Sequence, residues 1–344
     1  MPLDPHAQRF LKALAFGQRA EVSGLSVGAR RAGLARLMQL GREDYAVAAT
    51  RPLTLPGASQ PLAARLYESP GDPPGTDTPG TDTPGTGTPG TGTSEGTPAG
   101  VAPRAGAPGA GILYLHGGGL VAGSIETHDA IARALCRFSG ARVLSLEYRL
   151  APEAPFPAAL EDVAHVLEHL VRAGPALGIA PERLVLCGDS AGGTLAAASA
   201  AQRRVPLALL VLLCPILDYA HRSASRRELA SGYFLDEATL EHDLRHYLPA
   251  AVPVTDPRIS PLLASSFEGL PPTLVHTAEF DPLRDEGRDY FKRLESAGSA
   301  LSYTCHAGMI HLFYGLGAVI PHARAALEQI GREIRTALDR GNAG

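Results

Sequence analysis

Arg183-Leu184-Val185-Leu186-Cys187-Gly188-Asp189-Ser190-Ala191-Gly192-Gly193 runs into an alanine-rich stretch from Thr194 to Ala201. The apolar run predicts a buried strand, the glycines a sharp turn and the alanine-rich stretch a helix. A serine on such a turn holds its hydroxyl above the sheet, and flanking glycines remove the side chains that a strained backbone would meet. That is the signature of a nucleophile elbow, and it makes Ser190 the candidate nucleophile. The pattern Gly-x-Ser-x-Gly is short. With 38 glycines in 344 residues, chance yields it about once in four such chains, so context must decide. A second copy, Gly24-Leu25-Ser26-Val27-Gly28, has no strand-like run before it and helical patterns on both sides. Ser26 is therefore expected to cap or turn between helices.

Outward from the elbow, short apolar strands are predicted at Ile112–Leu115, Arg142–Tyr148, Arg183–Cys187, Leu207–Leu213, Thr273–Thr277 and Leu301–Cys305. Amphipathic helices are predicted near Thr127–Phe138, Ala158–Ala173, Ala191–Arg203, Glu286–Ala297 and Pro321–Leu338. This alternation implies an α/β class, with a mostly parallel central sheet covered by helices on both faces. Upstream, Pro5 to about Leu40 carries helical spacing, and Tyr45–Leu55 and Leu62–Glu68 read as strands.

Next comes a low-complexity tract, in which Pro74-Gly75-Thr76-Asp77-Thr78 is followed by near copies starting at Pro79, Pro84 and Pro89. Its few apolar side chains cannot offset ordering entropy, so a disordered surface loop is expected, an expanded hairpin connection between two strands. A polar, helix-like stretch, Ser223 to Leu248, is expected to cover the site beside the early helices. The resulting division is 1–44, helical part of a cap; 45–215, first part of the core, with the loop at 71–110; 216–250, cap insertion; and 251–344, second part of the core.

An apolar fraction of 45% suffices for a substantial core, and a formal net charge of −4 offers no footprint for nucleic acid. The opening Met1-Pro2-Leu3-Asp4-Pro5 lacks the features of a secretory signal, and the apolar run at Leu207–Leu213 is too short to span a bilayer. A cytoplasmic protein acting on a small molecule is expected, with no transmembrane segment and with a homodimer left open. Cys136, Cys187, Cys214 and Cys305 lack metal-ligand or CxxC spacing and read as reduced core thiols. Cys187, although beside the elbow, is expected to pack within its strand.

A serine nucleophile needs a base, a group to orient the base, and donors for the oxyanion. The strand at Thr273–Thr277 leads to Asp281 and the strand at Leu301–Cys305 to His311, both at carboxyl ends of strands where open α/β sheets build sites. Asp285 and Glu286 read instead as helix N-terminal residues. His306 abuts its strand, whereas His311 has the loop freedom to reach a serine. His276, His165, His169, His242 and His246 fall within a strand or helices, where packed or solvated roles are expected. His116-Gly117-Gly118-Gly119 directly follows the strand at Ile112–Leu115, and its glycines let backbone N–H groups turn inward. No phosphate-loop context accompanies them.

Six segments in order carry a family resemblance: His116 to Gly119, Tyr148-Arg149-Leu150-Ala151-Pro152-Glu153, Phe156-Pro157-Ala158-Ala159, Gly188 to Gly193, Asp281-Pro282-Leu283-Arg284-Asp285-Glu286-Gly287, and Gly308-Met309-Ile310-His311. In these the chain resembles the hormone-sensitive-lipase-like esterases, the bacterial family IV carboxylesterases of the α/β-hydrolase superfamily. The resemblance implies an α/β-hydrolase fold with a helical cap and hydrolysis of short- to medium-chain acyl esters without a cofactor or metal. It implies Ser190, Asp281 and His311 as triad, and N–H groups of Gly117, Gly118 and Ala191 as oxyanion hole. An amidase, carbamate hydrolase or lipase would use the same site, and a ligand-binding or scaffold protein is the non-catalytic alternative. One departure stands out: relatives usually carry glycine after the catalytic histidine, whereas Leu312 follows here.

Overall fold

The computed structural model describes residues 2–16, 24–70 and 108–340. Its strands are β1 (Ala49–Pro56), β2 (Pro61–Glu68), β3 (Gly109–Leu115), β4 (Arg142–Leu146), β5 (Ile179–Asp189), β6 (Leu209–Leu213), β7 (Thr273–Phe280) and β8 (Ala300–Ile310). They form one sheet in the order β1-β2-β4-β3-β5-β6-β7-β8. β2 runs antiparallel to β1 and β4, and the strands from β4 to β8 pair in parallel.

The helices are α1 (Pro5–Phe16), α2 (Val27–Gly41), α3 (Asp129–Ser139), α4 (Ala158–Ala173), α5 (Ala191–Gln202), α6 (Ala224–Glu228), α7 (Glu237–Tyr247), α8 (Arg284–Ser296) and α9 (His322–Arg340). Neighbouring strand residues point to opposite faces, so each central strand feeds two cores. Leu113, Leu115, Leu184 and Leu186 pack with Val163 and Leu167 of α4, Leu195 of α5 and Leu294 of α8. Ile112, Tyr114, Val185 and Cys187 pack with Ile131 and Leu135 of α3 and Ile330 and Ile334 of α9. Burial on both faces explains why these strands read as unbroken apolar runs.

Several expectations change. The tract lies almost wholly outside the described residues, but its flanks show that it is no hairpin connection: β4 lies between β2 and β3. β7 and β8 continue beyond the predicted ends to Phe280 and Ile310, because pairing with the neighbouring strand carries them through polar positions. His311 therefore follows its strand directly and owes its placement to strand geometry rather than loop freedom. Cys136, Cys187 and Cys214 are buried thiols, but Cys305 is exposed, because β8 is the last strand of the sheet. No helix among the described residues is long and apolar enough to cross a membrane.

Candidate active site

Ser190 stands between β5 and α5 at φ 52°, ψ −121°, a conformation that non-glycine residues rarely adopt. The turn is held from several sides. The Ser190 N–H donates to the Leu213 carbonyl at 2.9 Å, and the Ser190 carbonyl accepts from Gly193 and Ile216 at 3.0 and 3.1 Å. A Cβ at Gly192 would collide with the backbone of Leu115 and His116, so glycine lets the turn press against β3.

The three residues expected to act together meet here. His311 Nε2 lies 3.0 Å from Ser190 Oγ, and His311 Nδ1 lies 2.8 Å from Asp281 Oδ2. Asp281 Oδ1 accepts the Leu283 N–H at 2.9 Å. All three side chains are buried. An ionised carboxylate can only accept, so the His311 Nδ1–H donates to Asp281 and leaves Nε2 bare to take the Ser190 proton. Cys187 is fully buried and burial pushes its thiol well up, which removes it as a nucleophile. Ser26 caps α2, accepting the Ala29 N–H at 3.2 Å.

The glycine loop departs from expectation at one position. Gly117 N–H donates to Asp189 Oδ1 at 3.0 Å, an oxygen that also accepts from Tyr114 Oη at 2.6 Å. That N–H is thus spent on the loop's own anchoring and is not available to an oxyanion. Among the described residues, no protein hydrogen bond engages the N–H groups of Gly118, Gly119 or Ala191. Gly118, Gly119 and Ser190 line one cavity. Beneath the loop, His116 stacks on Tyr148 with ring centroids 4.3 Å apart, and burial lowers its imidazole to about 3. His306, also buried, is lowered to about 3 for the same reason and faces His276 Nδ1 at 3.2 Å.

The cavity measures about 570 Å³. Leu14 of α1, Leu34 and Leu37 of α2, Phe234, and Leu240 of α7 line it together with Ile216 and Leu312. Phe10 and Phe234 meet with ring centroids 6.0 Å apart and planes tilted by 51°, joining α1 to the segment before α7.

The acidic pair at the start of α8 does more than complement a helix dipole. Asp285 accepts the Ser225 N–H of α6 at 2.8 Å. Glu286 Oε2 accepts the Leu217 and Asp218 N–H groups at 3.0 and 2.6 Å, fixing the segment after β6. Burial raises the Glu286 carboxyl to about 8, with Arg226 offsetting only part of that effect. The unfolded chain releases this proton near 4.5 and the folded chain only near 8. Ionisation is thus penalised in the folded state, and stability falls as pH rises through that window. Glu286→Gln keeps an acceptor for both N–H groups. Its melting temperature is expected to overtake the wild type progressively between pH 5 and pH 8; parallel melting curves across that range would refute this reading.

The alpha/beta hydrolase fold family model matches residues 112–315. The chain belongs to the α/β-hydrolase family. This α/β-hydrolase is 39% identical over 227 residues to an ethyl acetate hydrolase of Pseudomonas putida, a match covering 64% of the chain and 71% of that protein. It is 36% identical over 209 residues to an arylesterase of Saccharolobus solfataricus, covering 59% and 68%. It superposes on an ester hydrolase from the metagenome of Lake Arreo, solved with a bipyridine phosphonate derivative, with a TM-score of 0.83. That match has 33% identity and covers 97% of the chain and 98% of the other. The α/β-hydrolase is thus a carboxylic ester hydrolase of the hormone-sensitive-lipase-like group that its motifs indicate.

Proposed function

We propose that this carboxylic ester hydrolase works through an acyl-enzyme on Ser190, with short- to medium-chain acyl esters as substrates. The observation that carries the reading is the continuous chain from Ser190 Oγ through His311 to Asp281. His311 Nε2 takes the hydroxyl proton as Ser190 attacks the ester carbonyl, and Asp281 orients the imidazole and stabilises its charge. N–H groups of Gly118, Gly119 and Ala191 hold the tetrahedral oxyanion, Gly119 taking the place assigned to Gly117 from the sequence. His311 returns the proton to the leaving alkoxide. Water then attacks the acyl-enzyme with His311 again as base.

Residues 1–44 and 216–250 serve as the cap, which supplies apolar walls for the acyl group. A p-nitrophenyl phosphonate diester tests the nucleophile. It should label one peptide, carrying Ser190; a label elsewhere, or on Ser26, would overturn the reading.

Leu312 sets the acyl limit in this scheme. It lies at φ 60°, buried against the cavity, where a left-handed backbone costs a side-chain-bearing residue about 1 kcal/mol. Leu312→Gly removes both the strain and the side chain. Turnover on p-nitrophenyl octanoate relative to butyrate is expected to rise about tenfold, the scale of one or two methylene groups gaining a pocket. An unchanged chain-length profile from acetyl to palmitoyl would count against this role.

A further inference from the structure

Among the described residues that line the cavity, Arg30 and Asp243 form an ion pair. Arg30 of α2 donates from Nη2 to Asp243 Oδ2 of α7 at 2.8 Å, and the two side chains are only 15% and 6% exposed. The other carboxylate oxygen, Oδ1, lies 3.0 Å from His242 Nδ1, while His242 Nε2 lies 3.1 Å from the Leu25 carbonyl. A carbonyl only accepts, so His242 donates to Leu25 through Nε2 and ties α7 to the segment before α2. Asp243 is thus held by Arg30 at Oδ2, with the His242 ring packed against Oδ1.

It bears directly on the glycine loop. Gly119 sits at φ 70°, and a Cβ there would overlap the Asp243 carboxylate. Arg30, Asp243, Gly119 and Ser190 all line the same cavity. A buried carboxylate beside an unengaged N–H competes with the reaction in two ways. It is an acceptor for that N–H, and its negative charge opposes the one that forms on the substrate oxygen. A guanidinium bound to the same carboxylate suppresses both effects, since it occupies the oxygen and offsets the charge.

We infer that Arg30 is a positioning residue for the oxyanion site: by holding Asp243 Oδ2 it keeps this carboxylate off the Gly119 N–H and offsets its charge beside the developing oxyanion. The inference rests on the proposed roles of Ser190 and Gly119. It assigns the cap an electrostatic part in the chemical step, in addition to forming walls for the acyl group.

The test compares Arg30→Met with Arg30→Met/Asp243→Asn on p-nitrophenyl butyrate. The single variant should lose about 10- to 100-fold in kcat, the range for a compromised oxyanion donor, with KM little changed. The double variant should recover kcat to within about threefold of the wild type, because the unpaired carboxylate is gone. Arg30→Lys, which retains the cation, should keep most of the activity. A double variant as slow as the single one would overturn the inference, since lost cap packing would then explain the defect. So would an unchanged kcat in Arg30→Met.

Should the methionine variant not fold, Arg30→Gln with and without Asp243→Asn provides the same comparison. Titration with the p-nitrophenyl phosphonate diester separates the two levels. Failure of the wild type to label at Ser190 would overturn the nucleophile assignment itself. Full labelling of the wild type with no kcat defect in the Arg30 variants would overturn only the role of Arg30.

Discussion

Replacing Ser190 by alanine is expected to lower kcat on p-nitrophenyl butyrate by about 10⁶. The loss is large because the three side chains act as a unit: without Oγ, the base 3.0 Å away has no proton to take and Asp281 has nothing to orient for. A residual rate above that in water should remain, since free N–H groups and the apolar cavity do not depend on the hydroxyl. KM should move little for the same reason, and cooperative melting should show that the turn survives. Ser26→Ala is the matched control. Ser26 is exposed and caps α2, so its loss costs about 1 kcal/mol of stability and leaves turnover in place. Turnover retained in Ser190→Ala, or abolished in Ser26→Ala, would sink the assignment.

Asp281→Asn is expected to cost about 10⁴ in kcat. The wild-type carboxylate accepts twice, from the His311 Nδ1–H at 2.8 Å and from the Leu283 N–H at 2.9 Å. Asparagine has one oxygen for these two donors. If that oxygen keeps Leu283, the amide N–H₂ faces His311 and favours the tautomer with its proton on Nε2, which points at Ser190 and cannot accept. Asp281 is completely buried, so water cannot restore the lost acceptor. Steady-state kinetics and phosphonate labelling should fall together. A loss below about tenfold would show that His311 is oriented by other means.

The core of this site was legible along the chain because strand order carries it. An apolar run before Ser190 separated the elbow from its copy at Ser26, and the two strands after it led to Asp281 and His311. Gly117 was misread because which N–H faces the cavity depends on a residue 72 positions away: Asp189 takes the first N–H of the loop. Glu286 looked like a helix-start acid, since no pattern near it reveals the backbone N–H groups of Leu217 and Asp218 that it holds.

Arg30 and Asp243 are 213 residues apart, one on an early helix with exposed neighbours and one on a polar helix. Nothing in either helix's spacing announces the pair. The sequence by itself determined the parallel sheet, the identity of the elbow, and the order in which the elbow, Asp281 and His311 follow one another along it. These follow from local rules: apolar runs make buried strands, and glycines at 188 and 192 leave room for the close-packed turn that carries Ser190 at φ 52°. Tertiary structure alone decided which N–H groups stay free, where Leu312 lies and what pairs with Asp243. Those depend on packing between segments distant in sequence, where a hydrogen bond formed at one place removes a donor from another.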